Sequence, residues 1–293
     1  MPVPHALMNG KRVPADLAQV PLDDYLAADG LAVAVRIRQG QPCQLDDHLR
    51  LLAEAIANPM ATLGFAVNPL QAARELTELL RLENAGDGVA VFAAVPSQAP
   101  APRPAIALRP LPAATAKATN GAVLAMTSVV FPAGETYAAL PWIHAPWPRL
   151  AALAGAARHA DGGLAMAADG TPLFACYGDG FLLGDAAAAA VFAVVDGALI
   201  TPDPERNRLP HSVARHAVER AAARQGVVVY HEPLAPAALG RASEIFTADS
   251  ARGLLPTRQL LASDGNLVAA PSPAHGPMVA AIAQEIAAAI SQC

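Results

Sequence analysis

LFACYGDGFLLGDAAAAAVFAVV, residues 173–195, forms an apolar run as long as a membrane span. About 20 uninterrupted apolar residues are needed to cross a bilayer as a helix. Here Gly178, Asp179, Gly180, Gly184 and Asp185 cut the run into strand-sized pieces, because glycine and aspartate favour turns. The stretch therefore reads as buried strands and turns, and the chain as one built around internal sheet. No membrane partner is expected. The start, MPVPHALMNGKRV, has no apolar core of a secretory signal. Cys43, Cys176 and Cys293 form no CxxC pair and no metal spacing, and their odd number argues against a disulfide framework. A reducing cytoplasm is the expected location.

The 293 residues suffice for two modest domains. Hydrophobic residues make up 54%, so a large core is available, and charged residues only 15%. The formal net charge of −5 leaves no basic stripe, which argues against nucleic acid as a partner. Lys11 and Lys117 are the only lysines in the sequence.

MNGKRV carries an Asn-Gly signal for a tight hairpin. LAVAVRIRQGQPCQL reads as strand, turn and returning strand. DDHLRLLAEAIANPM reads as an amphipathic helix with Asp46 and Asp47 as caps, and PLQAARELTELLRLE as a second helix opened by Pro69. GVAVFAAV and RPAIALRPL complete a small α+β domain over residues 1–113. Residues 114–122 form the linker. In residues 123–293, strands are expected at VLAMTSVVF, LAMAADGTPLF, GFLLGD, AAVFAVVDGALITP and GVVVYHEPL. Helices are expected at RLAALAGAARHA, SVARHAVERAAARQG, APAALGRA and PMVAAIAQEIAAAIS. The fold class is α+β, with two domains.

The order of MNGKRVPADLAQVPLDDY, RIRQGQPCQLDDHLRLL, DGTPLFACYGDGFLL, TPDPERNRLPHSVARHAVERAAARQGVVVYHEPL and EIFTADSARGLLPTRQL resembles the class IV aminotransferase and aminodeoxychorismate lyase family, the fold-type IV pyridoxal phosphate (PLP) enzymes. The last segment is more similar to the lyase branch. The resemblance implies a fold-type IV architecture with an interdomain cleft, a homodimer, and PLP held by a lysine.

Residue by residue, the resemblance places Ala145 where the Schiff-base lysine belongs and Phe174 where a glutamate pairs with the pyridine nitrogen. Leu51 stands for the phosphate-binding arginine, with Arg50 beside it. Ser212 and Ala214 stand for the glycine and threonine of the phosphate turn, with Arg215 retained. Ala248 replaces a hydroxyl residue. Only an amine can hold the cofactor aldehyde, so the expectation is that PLP has been lost and that no cofactor replaces it.

By the same mapping, Arg36, Arg38, Tyr137, Arg149, His211, Ser212, Ser250 and Arg252 are candidate binders of a small carboxylated molecule. Guanidinium matches carboxylate in bidentate fashion. His144, beside Ala145, is the candidate acid/base, with Tyr177 or Asp179 as its partner. Each has a plainer reading: a packing histidine, an interface tyrosine, a turn aspartate in YGDG, a helix cap at Ser212, solvated arginines. His5, His48, His159, His216, His231 and His275 show no metal-ligand spacing. The expected function is cofactor-independent, lyase-like acid/base elimination, decarboxylation or rearrangement. The alternatives are a non-catalytic partner protein, or conventional PLP chemistry if another lysine serves.

Overall fold

The computed structural model describes residues 5–14, 30–58, 66–95, 104–111, 120–133, 135, 139–143, 145–178, 184–271 and 276–290. The chain divides into two compact units. The first is Met1–Leu111 with Leu140–His144 and Leu183–Asp185; the second is Pro112–Ala139, Ala145–Leu182 and Ala186–Cys293. The expected single crossing at residues 114–122 is thus joined by two short returns to the first unit. Ala122 already opens a strand.

In the first unit, β1 (His5–Met8) and β2 (Lys11–Pro14) form a hairpin. Asn9 and Gly10 turn it with φ of 49° and 74°, the left-handed pair that a two-residue hairpin requires. β3 (Leu31–Arg38), β4 (Gln41–Pro42), β5 (Gly88–Ala94) and β6 (Ala105–Arg109) complete a sheet in the order β2-β1-β6-β5-β3-β4. Helix α1 (Leu45–Ala57) packs on β3, burying His48, Leu49, Leu51, Leu52, Ala55 and Ile56, and α2 (Pro69–Leu82) packs on α1. Asp46 and Asp47 do not cap α1. The cap position is Gln44, in the left-handed conformation without a side-chain bond, while both aspartates lie inside the first turn and Asp47 accepts from Arg50. A carboxylate there still favours the positive helix end. Asn68 caps α2 as a side-chain acceptor for the Gln71 N–H.

The second unit is built on β7 (Ala122–Val130), β8 (Gly162–Met166), β9 (Pro172–Tyr177), β10 (Ala189–Val195), β11 (Ala198–Thr201), β12 (Val229–His231), β13 (Glu244–Asp249), β14 (Gly253–Leu261) and β15 (Leu267–Ala269). The sheet order is β12-β11-β10-β13-β14-β7-β8-β9, and β9 pairs back onto β10. The strands from β10 round to β9 therefore close on themselves, which removes exposed edges within the ring. β11 and β12 extend it beyond β10, and β15 flanks β14.

The apolar run of residues 173–195 supplies two adjacent staves of this ring, β9 and β10. Between them Gly184–Ala187 forms a 3₁₀ turn, not the strand expected at GFLLGD, whose first residues lie outside the described ones. Among the described residues no helix is long and apolar enough to span a membrane. β13 and β14 were not among the expected strands.

Helices α3 (Pro146–Ala156), α4 (Val213–Arg224), α5 (Pro236–Leu239) and α6 (Pro277–Ile290) belong to this unit. Side chains alternate across a strand, so β9 serves two cores. Ala175 and Tyr177 join Leu124, Met126, Leu164, Val191, Ile245 and Leu255 in one cluster. Phe174 and Cys176 face the other way, packing with Phe131, Leu209 and the α3 residues Ala151 and Ala152. A third cluster sets Phe192 and Phe246, stacked at 5.1 Å, against Val218 of α4 and Ile282 of α6.

Candidate functional site

The end of β9 and the turn after β13 bring together several buried polar groups of the second unit. Tyr177 is the last residue of β9, and its hydroxyl lies 2.8 Å from Thr247 Oγ1. The Arg252 guanidinium sits over its ring, 4.8 Å from the centroid. Arg252 Nη1 donates to Asp249 Oδ2 at 2.9 Å and to the Ala186 carbonyl at 3.2 Å. The other oxygen, Asp249 Oδ1, accepts the backbone N–H groups of Ala251 at 2.8 Å and Arg252 at 2.7 Å. Both members of the ion pair have side chains only 1% exposed. This arrangement corrects two expectations. Arg252 clamps a carboxylate, but the carboxylate is the chain's own Asp249. Tyr177 is a packed core residue whose phenol burial pushes far above its ordinary value, so it keeps its proton and is a weak acid near neutral pH.

The start of α4 is a second polar site. Ser212 is the cap, its hydroxyl accepting the Arg215 N–H at 3.1 Å. Arg215 is buried and donates Nη1 to the Pro202 carbonyl at 2.9 Å, while its Nε has no partner. Desolvation pulls its pKa down to about 10, which leaves it cationic at neutral pH. His211, one residue earlier, is exposed. Ala214 is half-buried and contributes a methyl group only.

The remaining candidates are scattered. Arg149 lies exposed in the first turn of α3. Arg36 and Arg38 lie on β3 of the first unit, half-buried and exposed respectively. Ser250 is buried in the turn beside Asp249. Tyr137, His144 and Asp179 fall outside the described residues. His48 had been assigned no role from the sequence. It is 2% exposed, with Nδ1 3.4 Å from Asp185 Oδ2, while Asp185 Oδ1 accepts the Ala34 N–H at 2.8 Å. The partners are 137 positions apart in sequence, so no local motif announces them. Among the described residues no cluster is suited to a metal ion.

The model of the family described as amino-transferase class IV matches residues 32–260. The chain belongs to that family. Its fold also matches solved structures over nearly the whole length. The branched-chain amino acid aminotransferase of Escherichia coli is 18% identical with a TM-score of 0.80, covering 98% of this chain and 95% of that one. A hypothetical aminotransferase from Mycobacterium tuberculosis, in its apo form, is 18% identical with a TM-score of 0.77, covering 98% and 99%. A branched-chain aminotransferase from Thermoproteus uzoniensis, solved with norvaline, is 18% identical with a TM-score of 0.75, covering 98% and 94%. At such identity these likenesses establish the fold alone. No curated protein matches the sequence.

The residues that the resemblance assigns to the PLP positions can be examined for the groups that PLP needs. Ala145 occupies the N-cap position of α3, makes no side-chain cap bond and offers no amine. Phe174 is 1% exposed, with its ring edge-on to Phe131 at 5.0 Å, and Phe131 in turn is edge-on to Trp147 at 5.5 Å. A pyridinium nitrogen needs a carboxylate to hold its proton, and a phenylalanine supplies none. Leu51 is buried with the apolar face of α1, and Ala248 is 1% exposed, paired across the sheet with Ala190. At the positions the resemblance assigns, these side chains offer neither the amine nor the carboxylate that covalently held PLP needs. Lys11 is exposed on β2, and Lys117 lies outside the described residues.

Proposed function

We propose that this class IV aminotransferase-fold protein works without PLP, acting as a lyase-like acid/base enzyme on a small carboxylated molecule. The observation that carries the reading is the sealed aromatic packing of Phe174, at the position the resemblance assigns to the carboxylate of PLP chemistry. With that electron sink gone, the chemistry open to the chain is proton transfer, and a histidine transfers protons near neutral pH without a cofactor. His144 is the residue proposed for that role, and Asp179 replaces the buried Tyr177 as the second candidate. Arg149, exposed one helical turn into α3, and the cationic start of α4 with Ser212 and Arg215 are the anchors for a carboxylate. We further propose a homodimer in the cytoplasm.

A second reading is a non-catalytic partner protein. It is favoured by the internal pairing of Arg252 with Asp249, which removes one binding group from any substrate. Titration calorimetry of the purified protein against small mono- and dicarboxylic acids, with mass spectrometry of each mixture, separates the two. We expect a colourless protein that takes up heat with at least one acid and converts it. Heat without conversion favours the partner reading. A yellow protein that transfers amino groups overturns both.

A further inference from the structure

We propose that His216, Glu219 and His231 form an acid-released clasp that fastens the edge strand β12 to helix α4. β12 ends its sheet, and among the described residues no strand lies beyond it. It is three residues long, and Tyr230 and His231 are exposed. It is tied to β11 by the Leu199 N–H on the Val228 carbonyl at 3.1 Å and the Glu232 N–H on the Thr201 carbonyl at 3.0 Å. So short an edge buries little apolar surface, and opening it locally costs far less than unfolding the unit. Glu219, half-buried on α4, adds a side-chain fastening. Its Oε1 lies 3.0 Å from His231 Nε2 on β12, and its Oε2 lies 3.4 Å from His216 Nδ1, one turn back on α4. A carboxylate only accepts, so both facing imidazole nitrogens are donors.

In acid these contacts reverse. An imidazolium has only donors, and a protonated carboxyl turns one of its acceptor oxygens into a donor. Protonating Glu219 therefore leaves one imidazolium without an acceptor and two cations side by side. Arg215, buried one turn before Glu219 and within electrostatic reach of it, adds a third. Burial pushes the Glu219 carboxyl up, yet the hydrogen bonds and charges of His216 and His231 together hold it below the usual carboxylate value. A carboxyl that titrates lower in the folded chain lends stability above its unfolded value. That contribution is lost as the pH falls through the folded value. The other charges around α4 have their own partners or are exposed. Asp203 accepts the N–H groups of Glu205 and Arg206, and Glu244 of β13 those of Met278 and Val279. Glu285 of α6 faces Arg224 and Gln225, while Arg220, Tyr230 and Glu232 are exposed.

The test is hydrogen–deuterium exchange read by mass spectrometry from about pH 6 to about pH 3, which spans the usual carboxylate range. Rates are referred to those of the unfolded peptides at each pH, and the peptide over β10 is the internal control. In the wild type, protection of β12 should fall about fivefold more than that of β10 across this range. Glu219→Gln and His231→Gln should each begin with the lowered protection and lose the extra pH dependence, because either change removes the arm that reaches β12. His216→Gln leaves that arm in place and should keep most of the dependence. A wild-type ratio of β12 to β10 protection that stays flat across pH overturns the inference. So does a Glu219→Gln ratio that still falls as the wild type's does. Exchange is read without substrate, so the outcome is independent of the reaction proposed above.

Discussion

Replacing Phe174 with glutamate, the residue that PLP chemistry would require there, should abolish cooperative folding of the second unit at neutral pH. Deleting a buried phenylalanine side chain costs about 3–5 kcal/mol. An unpaired carboxylate in the same apolar cluster adds several kcal/mol more. The sum rivals the roughly 5–15 kcal/mol that hold a typical domain together. Burial raises the folded pKa of the new carboxyl above its unfolded value, so its destabilisation is greatest well above that folded pKa and shrinks as the pH falls through it. Phe174→Leu, which keeps an apolar filling, should cost only about 1 kcal/mol. Circular dichroism melts of the two variants across pH check this. A glutamate variant melting within a few degrees of the wild type would show that this position faces an open pocket, and the packing argument would fail.

The second large effect concerns His144. Removing a positioned acid/base typically lowers turnover by about 10²–10⁴-fold. His144→Ala should show that loss with the acid found to be converted in the mixture experiment, while the calorimetric heat of binding and the melting temperature stay near the wild-type values. Unchanged turnover would transfer the proton-transfer role to Asp179.

How much of this was legible in the sequence depended on whether a feature is local. The first hairpin was legible because Asn9-Gly10 adopts positive φ, and such pairs write themselves into short sequence. Asp196-Gly197, with φ of 50° and 80°, instead turns β10 into β11 inside what read as one strand, AAVFAVVDGALITP. The apolar run of 173–195 revealed its strands through its glycines and aspartates, and Ser212 was recognisable as a cap from its place before α4. By contrast, β13 was missed because EIFTAD carries charges at both ends. Glu244 has a place only because it accepts the N–H groups of Met278 and Val279 at the start of α6, 34 and 35 residues away. The site shows the same division. DSAR placed an aspartate and an arginine three apart, yet nothing in that spacing says that they pair with each other and not with a ligand. Tyr177 looked reactive because strand alternation alone does not tell which face of β9 closes over a core. The His48–Asp185 pair links α1 to a segment that returns from far along the chain, and only tertiary structure brings them within reach.

The central claim is that this member of the class IV aminotransferase family holds no covalent PLP. It is tested most directly by incubating the purified wild-type protein with PLP, reducing with borohydride, and mapping peptides by mass spectrometry. The account predicts no internal-aldimine absorbance band and no phosphopyridoxyl adduct at a stoichiometric level on any residue. A stoichiometric adduct on Lys11 or Lys117 would contradict it and return the protein to conventional PLP chemistry.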